Sequence, residues 1–283
     1  MKLNVVIFSK NRPYQLDGLL HTMFASYTGS YRDLNVSVIY KDTETAAAVT
    51  AGYKKLIAIY EMTEHNVSFL AETAFKEQTI KAVDPSVPYT MMLVDDIVFI
   101  NSWNMIDVEA VLDHPVTLCH SLRLHSGITR CYPTNQTTIV PNKDDLVNEK
   151  MMRWDWTQHG NNGDWGYPMS CDGHVFRTKQ LLSILNHIPF TSPNTLEASM
   201  ATLANTNNSI RGLNKMSCYL NGSALVNIPA NRVQHEFPNR AGTVVENTAE
   251  TLAADYVGNN RRITYKPGFR SESAHQEAYE LLR

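Results

Sequence analysis

Over its first hundred residues the chain alternates short apolar runs with helical periodicity, and few folds accommodate that alternation. The run at residues 3–8 stops at the turn sequence Ser9-Lys10-Asn11-Arg12-Pro13. Pro13 suits the first turn of a helix, where its missing N–H costs nothing. Leu16, Leu19, Leu20 and Met23 then follow at i, i+3, i+4 and i+7, one buried helical face. A second run at 35–40 ends at Lys41-Asp42-Thr43-Glu44 and leads into a helical stretch over 45–59. A third run at 67–70 precedes a helix over 74–83, and a fourth occupies 89–94. Strands separated by helices predict a parallel sheet in an α/β layer architecture, here a single domain with helices flanking the sheet.

Beyond residue 100 the pattern loosens. The spacing predicts a strand over 116–122, a polar, turn-rich stretch over 135–155, helices over 175–188 and 196–205, a strand starting at Val226, and a closing helix over 275–282. The 283 residues are 43% hydrophobic and 19% charged, which excludes wholesale disorder. A chain of this length buries about three-quarters of its extended surface without disulfides or a structural metal. A net charge of −3 argues against binding a polyanion by bulk charge. No apolar run approaches the roughly 20 residues of a membrane span. The amino terminus runs directly into a strand pattern with no secretory signature, so a cytoplasmic protein with its four cysteines reduced is expected.

In open α/β sheets ligands bind at the carboxyl ends of the strands. That rule directs Ser9, Asn11 and Arg12, then Asp42, then Asp95 and Asp96 toward one ligand site, because each group lies just past a strand. Asp95-Asp96 also sits between two apolar runs, 91–94 and 97–100. Adjacent carboxylates in such surroundings repel each other and are costly to bury, and a divalent cation with oxygen ligands removes that cost. The alternative is a strand-end turn with solvated carboxylates. The histidines His114, His120 and His125 lack zinc spacing and are excluded as a zinc site.

Residues 5–13, Asp42, and Leu93-Val94-Asp95-Asp96-Ile97-Val98-Phe99 together resemble a GT-A type glycosyltransferase of bacterial or phage type. The similarity extends to residues 170–177 and to Asn231-Arg232-Val233-Gln234-His235. It implies a Rossmann-type mixed sheet whose first half, 1–110, binds a nucleoside-diphosphate-sugar, a UDP-sugar above all. Residues 111–283 would form the acceptor-binding and metal-completing half of the same domain. Ser9, Asn11, Arg12, Asp42 and Asp95 would contact the donor. Asp96 would ligate Mn²⁺ or Mg²⁺, and His235 would complete the shell.

Glycosyl transfer with inversion also requires a carboxylate to take the acceptor proton. Asp172 and Glu197 are the candidates, although Asp172-Gly173 also reads as a turn and Glu197 as a helix-capping residue. Retention of configuration would need no base at that place. The aromatic stretch around Trp156, Trp165 and Tyr167 suggests a stacking platform for acceptor or sugar, and its Gly and Asn content suggests a lid closing over 155–165; core packing of the indoles is the alternative. Arg261, Arg262, Lys266 and Arg270, followed by Glu272, Glu277 and Glu280, read as a solvated face or a phosphate-contacting strip.

The function expected is therefore metal-dependent transfer of a sugar to a hydroxyl acceptor, either a surface glycan or a hydroxylated or hydroxymethylated base of phage DNA. A sugar-nucleotide nucleotidyltransferase is a further alternative, but such enzymes carry a Gly-rich loop after the first strand, and Ser9 to Pro13 contains no glycine. A non-catalytic nucleotide-sugar-binding protein is another.

Overall fold

A computed structural model describes residues 2–43, 46–142, 145–160, 162–229, 231, 248–259, 262–264 and 280–282. The first part of the chain forms β1 (Leu3–Lys10), α1 (Pro13–Ser26), β2 (Leu34–Lys41), α2 (Ala47–Glu61), β3 (Val67–Ala71), α3 (Phe75–Lys81) and β4 (Tyr89–Val94). Next come β5 (Ile97–Phe99), α4 (Met105–Leu112), β6 (Thr117–His125), β7 (Arg130–Cys131), β8 (Gln136–Thr137), β9 (Asp145–Leu146) and β10 (Met151–Asp155). The remainder comprises β11 (His174–Arg177), α5 (Thr178–His187), α6 (Pro193–Thr206), α7 (Asn208–Arg211), β12 (Lys215–Tyr219), β13 (Leu225–Asn227), α8 (Ala249–Asn259), β14 (Arg262–Thr264) and β15 (Glu280–Leu282).

The main sheet has nine strands in the order β3-β2-β1-β4-β11-β6-β12-β10-β9. The β3-β2-β1-β4 side is parallel throughout. β11 runs antiparallel to both β4 and β6, which makes the sheet mixed. This is the α/β arrangement the alternating pattern predicts, and the sheet continues without a break past residue 110.

β1 shows why its sequence is apolar along its whole length rather than on alternate residues. Leu3, Val5 and Ile7 pack with Leu16, Leu19, Leu20 and Met23 of α1 in one core. Val6 and Phe8 face the other core, with Phe75, Leu181, Leu185 and Leu196. A strand covered by helices on both faces must be hydrophobic on both.

Three boundaries differ from the sequence reading. Val175 belongs to β11, and the helix expected from that residue begins only at Thr178. Strand pairing of Val175 with Met91 and His120 claims the segment before a helix can form. Glu280–Leu282, expected to end a helix, pairs instead as a strand with β14. The helices α4 and α8 were not anticipated. Among the described residues no helix is long and apolar enough to cross a membrane.

Candidate functional site

A cavity of about 590 Å³ opens at the carboxyl ends of β1 and β4. Its volume is in the range of small-molecule sites. Ser9, Arg12, Asp95 and Asp96 line one side, and Arg123, Asp164, Tyr167, Asp172 and Glu197 line the other.

On the first side Arg12 is the organising group. It stands at the N-cap of α1, but its side chain makes no capping bond there. Its Nη1 donates to Asp95 Oδ1 at 2.9 Å and to Asp96 Oδ2 at 3.3 Å. Its Nη2 donates to the Asn231 carbonyl. Asp95 also accepts from the Lys10 backbone N–H at 3.1 Å. Burial opposes the Arg12 charge, but the two carboxylates outweigh it and raise the guanidinium's titration. Burial pushes the Asp96 carboxyl up to about 6; Arg12 opposes this, and Asp95 and Asp172 add to it. Asn227 of β13 reaches toward Asp96, Nδ2 to Oδ1 at 3.5 Å, and Ile228 N–H binds the Asp96 carbonyl at 2.7 Å.

Of the other residues past the strand ends, Asn11 and Asp42 do not line the cavity. Asn11 has a left-handed backbone, φ +56°, a conformation asparagine tolerates. Its side chain bridges to Thr43, donating to Oγ1 at 2.7 Å and accepting from the backbone N–H at 2.9 Å, so it ties the β1 turn to the end of β2. Asp42 accepts from Thr50 Oγ1 of α2 at 2.5 Å. Ser9 Oγ and Tyr53 Oη share a hydrogen bond of 2.7 Å, and Tyr53 Oη also accepts the Arg12 backbone N–H at 3.1 Å.

On the second side Arg123, within β6, is 3% exposed and binds two carboxylates, Asp164 at 2.8 Å and Asp172 at 3.0 Å. Asp172 is brought to the site by Gly173. Gly173 N–H binds the Met92 carbonyl of β4 at 3.0 Å, and its carbonyl binds Leu122 of β6 at 3.0 Å. Its φ of +80° is one that L side chains rarely adopt, and a Cβ there would lie 2.5 Å from Leu225.

Glu197 does not cap its helix. Ser192 caps α6 through a capping box with Thr195, which leaves Glu197 in the second turn, facing the cavity. Burial and the Asp172 charge push its carboxyl up to about 8, against Arg123, the Ser170 hydroxyl and the Cys171 backbone N–H. Tyr167 is half-buried and lines the cavity beside it.

The indoles do not form a platform. Trp156 and Trp165 are 1% and 0% exposed and pack into the core on the α6 side of the sheet. Trp154 Nε1 binds the Trp165 carbonyl at 2.8 Å, Trp156 Nε1 binds that of Leu213 at 2.9 Å, and Trp165 Nε1 binds that of Ile128 at 3.2 Å. A large apolar ring whose one polar atom has an internal partner gains most by burial. These anchors also argue against the 155–165 segment acting as a lid. His120 is buried against Ser217, 2.9 Å from Nδ1 to Oγ, and among the described residues no set of three His, Cys, Asp or Glu side chains is arranged for a metal. His235 and the side chains of the carboxyl-terminal basic strip lie outside the described residues.

Sequence reasoning missed Arg123, Asp164 and Asn227. Arg123 carried a usable signal, a lone charge inside a strand that is buried at every position. Asp164 and Asn227 carried none, because acidic and amide residues near turns are common for structural reasons.

No protein-family model matches the chain. The chain is 26% identical over 199 residues to the bifunctional glycosyltransferase pgtA of Dictyostelium discoideum; the match covers 66% of the chain and 25% of that protein. The chain thus spans about a quarter of the length of this curated relative. Among solved structures, residues 1–349 of Staphylococcus aureus TarS in complex with UDP-GlcNAc superimpose with a TM-score of 0.50 at 17% identity, over 83% of this chain and 60% of that one. The same TarS fragment with UDP gives 0.50 at 16% identity, over 80% and 60%. The chain therefore shares the fold of these TarS structures and is similar in sequence to a curated glycosyltransferase.

Proposed function

We propose that the chain transfers a sugar from a nucleoside-diphosphate donor to a hydroxyl acceptor, a glycan or a hydroxylated base, with the help of a divalent cation. The observation that carries this reading is the juxtaposition, across one cavity, of Arg12, Asp95 and Asp96 with Asp172 and Glu197. One side supplies a charged cluster where a diphosphate would lie, and the other supplies carboxylates where an acceptor hydroxyl would be activated. TarS is described in complex with UDP-GlcNAc, which supports testing uridine donors first.

The donor set suits Mn²⁺ or Mg²⁺. Asp95 and Asp96 offer carboxylate oxygens, the Asn227 amide stands beside them with its Oδ1 unpartnered, and burial together with the Asp95 and Asp172 charges disfavours the ionised form of Asp96, a cost that a cation would relieve. Asp96 would hold the ion with Asp95 adjacent, and the rest of its shell would come from the donor and water. When bound, such an ion stabilises the charge that develops on the departing diphosphate.

The remaining work falls to side chains. Arg12 orients both carboxylates and offers donors toward a phosphate. Asp172 is held in place by Arg123 and is assigned the base role, while burial and the Asp172 charge push the Glu197 carboxyl up toward its neutral form. Asp172 would accept the acceptor's hydroxyl proton as its oxygen attacks the anomeric carbon.

The test is thermal stability against nucleoside diphosphates and their sugars, with and without Mn²⁺. A ligand at a hundred times its Kd adds about 2.7 kcal/mol, a rise of several degrees. The expected result is a Mn²⁺-dependent shift that disappears in Asp96→Ala. A folded protein that shifts with none of these ligands would refute the donor reading.

A further inference from the structure

Resting on the transferase reading, we propose that Asp164 is a positioning residue for the base Asp172. It holds one arm of Arg123, so that the guanidinium meets Asp172 through a single contact and leaves the second carboxylate oxygen for the acceptor proton. Asp164 itself is too deep to touch a substrate, its side chain being 6% exposed against 14% for Asp172.

The geometry is one fork shared between two carboxylates. Arg123 Nη2 donates to Asp164 Oδ1 at 2.8 Å, and Nη1 donates to Asp172 Oδ2 at 3.0 Å. Nε has no partner among the described residues, so neither carboxylate is gripped along the Nε edge of the guanidinium. A guanidinium facing a single carboxylate commonly binds both of its oxygens through two parallel N–H···O bonds. Without Asp164, Nη2 would turn to the remaining partner, and both Asp172 oxygens would face Arg123 rather than the cavity. The Asp172 backbone is fixed independently, its N–H binding Ser170 Oγ at 3.0 Å, which leaves the rotation of the carboxylate for Arg123 to set.

The placement of Asp164 gives the aromatic stretch a role. Asp164 lies in the short turn Gly163–Gly166 beside Trp165, which is fully buried. The Trp154 and Trp165 rings meet edge to face at 5.0 Å, and Trp154 Nε1 binds the Trp165 carbonyl. At the end of the turn a Cβ on Gly166 would overlap the His159 carbonyl, so the chain packs there without room for a side chain. A carboxylate carried by so tightly packed a turn keeps its direction, as support of a catalytic group requires. The indoles thus serve the base through Asp164 and Arg123, with no contact of their own to a ligand.

The test uses the full chain with UDP-GlcNAc, the ligand of the TarS complex, and Mn²⁺, with water standing in for the acceptor. It reads UDP release, UDP affinity and the crystal structures of the variants. In Asp164→Ala the rate should fall about 10–100-fold, the scale of a misplaced catalytic group, with UDP affinity unchanged. The crystal structure of that variant should show both Arg123 Nη atoms on Asp172. Asp164→Asn keeps an acceptor for Nη2 and should restore most of the rate. In an Asp172→Asn background Asp164→Ala should cost nothing further, because a residue that acts through another has no effect once that other is gone. A merely structural residue would cost the same factor in both backgrounds. If Asp164→Ala does not fold, Arg123→Lys breaks the same link, since an ammonium has no fork, and the same loss of rate with unchanged UDP affinity is expected. An undiminished rate, an additive loss, or a single unchanged Arg123–Asp172 contact in the variant crystal would overturn the proposal. A native chain that releases no UDP would count against the transferase reading, and the variant crystal structure would then decide this inference alone.

Discussion

Arg12 Nη1 lies 2.9 Å from Asp95 Oδ1 across 83 residues of sequence, and this contact joins the end of β1 to the end of β4. Both side chains are nearly buried, 10% and 4% exposed. Removing one member of such a pair leaves an uncompensated charge in the interior. Arg12→Met should therefore lose about 3–5 kcal/mol of stability, read from urea unfolding. If Asp95 and Asp96 form a cation site, millimolar Mn²⁺ should restore part of that loss in the variant and do little for the native chain. Equal effects of Mn²⁺ on both would argue that the carboxylates bind no cation.

The two carboxylates across the cavity should separate kinetically. Asp172→Asn should lower kcat by about 10²–10⁴-fold with donor KM nearly unchanged, the range for loss of a general base. Glu197→Gln keeps a hydrogen-bonding group of the same size at a carboxyl that burial pushes toward its neutral form, and its loss should be far smaller. Steady-state kinetics with one donor and one acceptor decides the matter, and a reversed ranking would move the base to Glu197.

Stability should depend on pH through Glu197. Its titration moves from 4.5 up to about 8 on folding, so between those values the folded chain holds a proton that the unfolded chain releases. The native state then binds more protons than the unfolded one, and stability must fall as pH rises. The contribution is complete below pH 4.5 and is lost as pH passes through about 8. Asp96, raised to about 6, acts in the same direction over a lower window. Urea midpoints at pH 5, 6.5 and about 8.5 should decline in the native chain, and the decline should be shallower in Glu197→Gln. A midpoint that rises with pH would contradict the raised titration.

Trp165 tests the correction made to the aromatic stretch. As a core residue with no exposed surface, its replacement by alanine should cost about 3–5 kcal/mol of stability. A surface platform would instead lose acceptor affinity with its melting temperature intact.

Much of this architecture was legible from local pattern. The four leading strands, the helix after Pro13 and the convergence of Arg12 with Asp95 and Asp96 follow from hydrophobic period and from the rule of strand ends. Ser9, Arg12, Asp95 and Asp96 reach the cavity as that rule predicts, whereas Asn11 and Asp42 lie beside it because Thr43 and Thr50 engage their side chains. Trp156 and Trp165 were ambiguous in sequence, since a Gly- and Asn-rich segment can expose an indole or bury it. Their burial depends on the distant partners Leu213 and Ile128, which spacing does not reveal.

The sequence by itself determined an α/β sheet with a cluster of charge at the ends of β1 and β4, because apolar periodicity and strand-end position are local properties. Only the tertiary structure decided which charges neutralise one another. Arg123 meets Asp164 and Asp172 from 41 and 49 residues away, and burial first, with the Asp172 charge beside it, pushes the Glu197 carboxyl up. Electrostatic energy depends on distance in space and on burial, and neither is written in the order of residues.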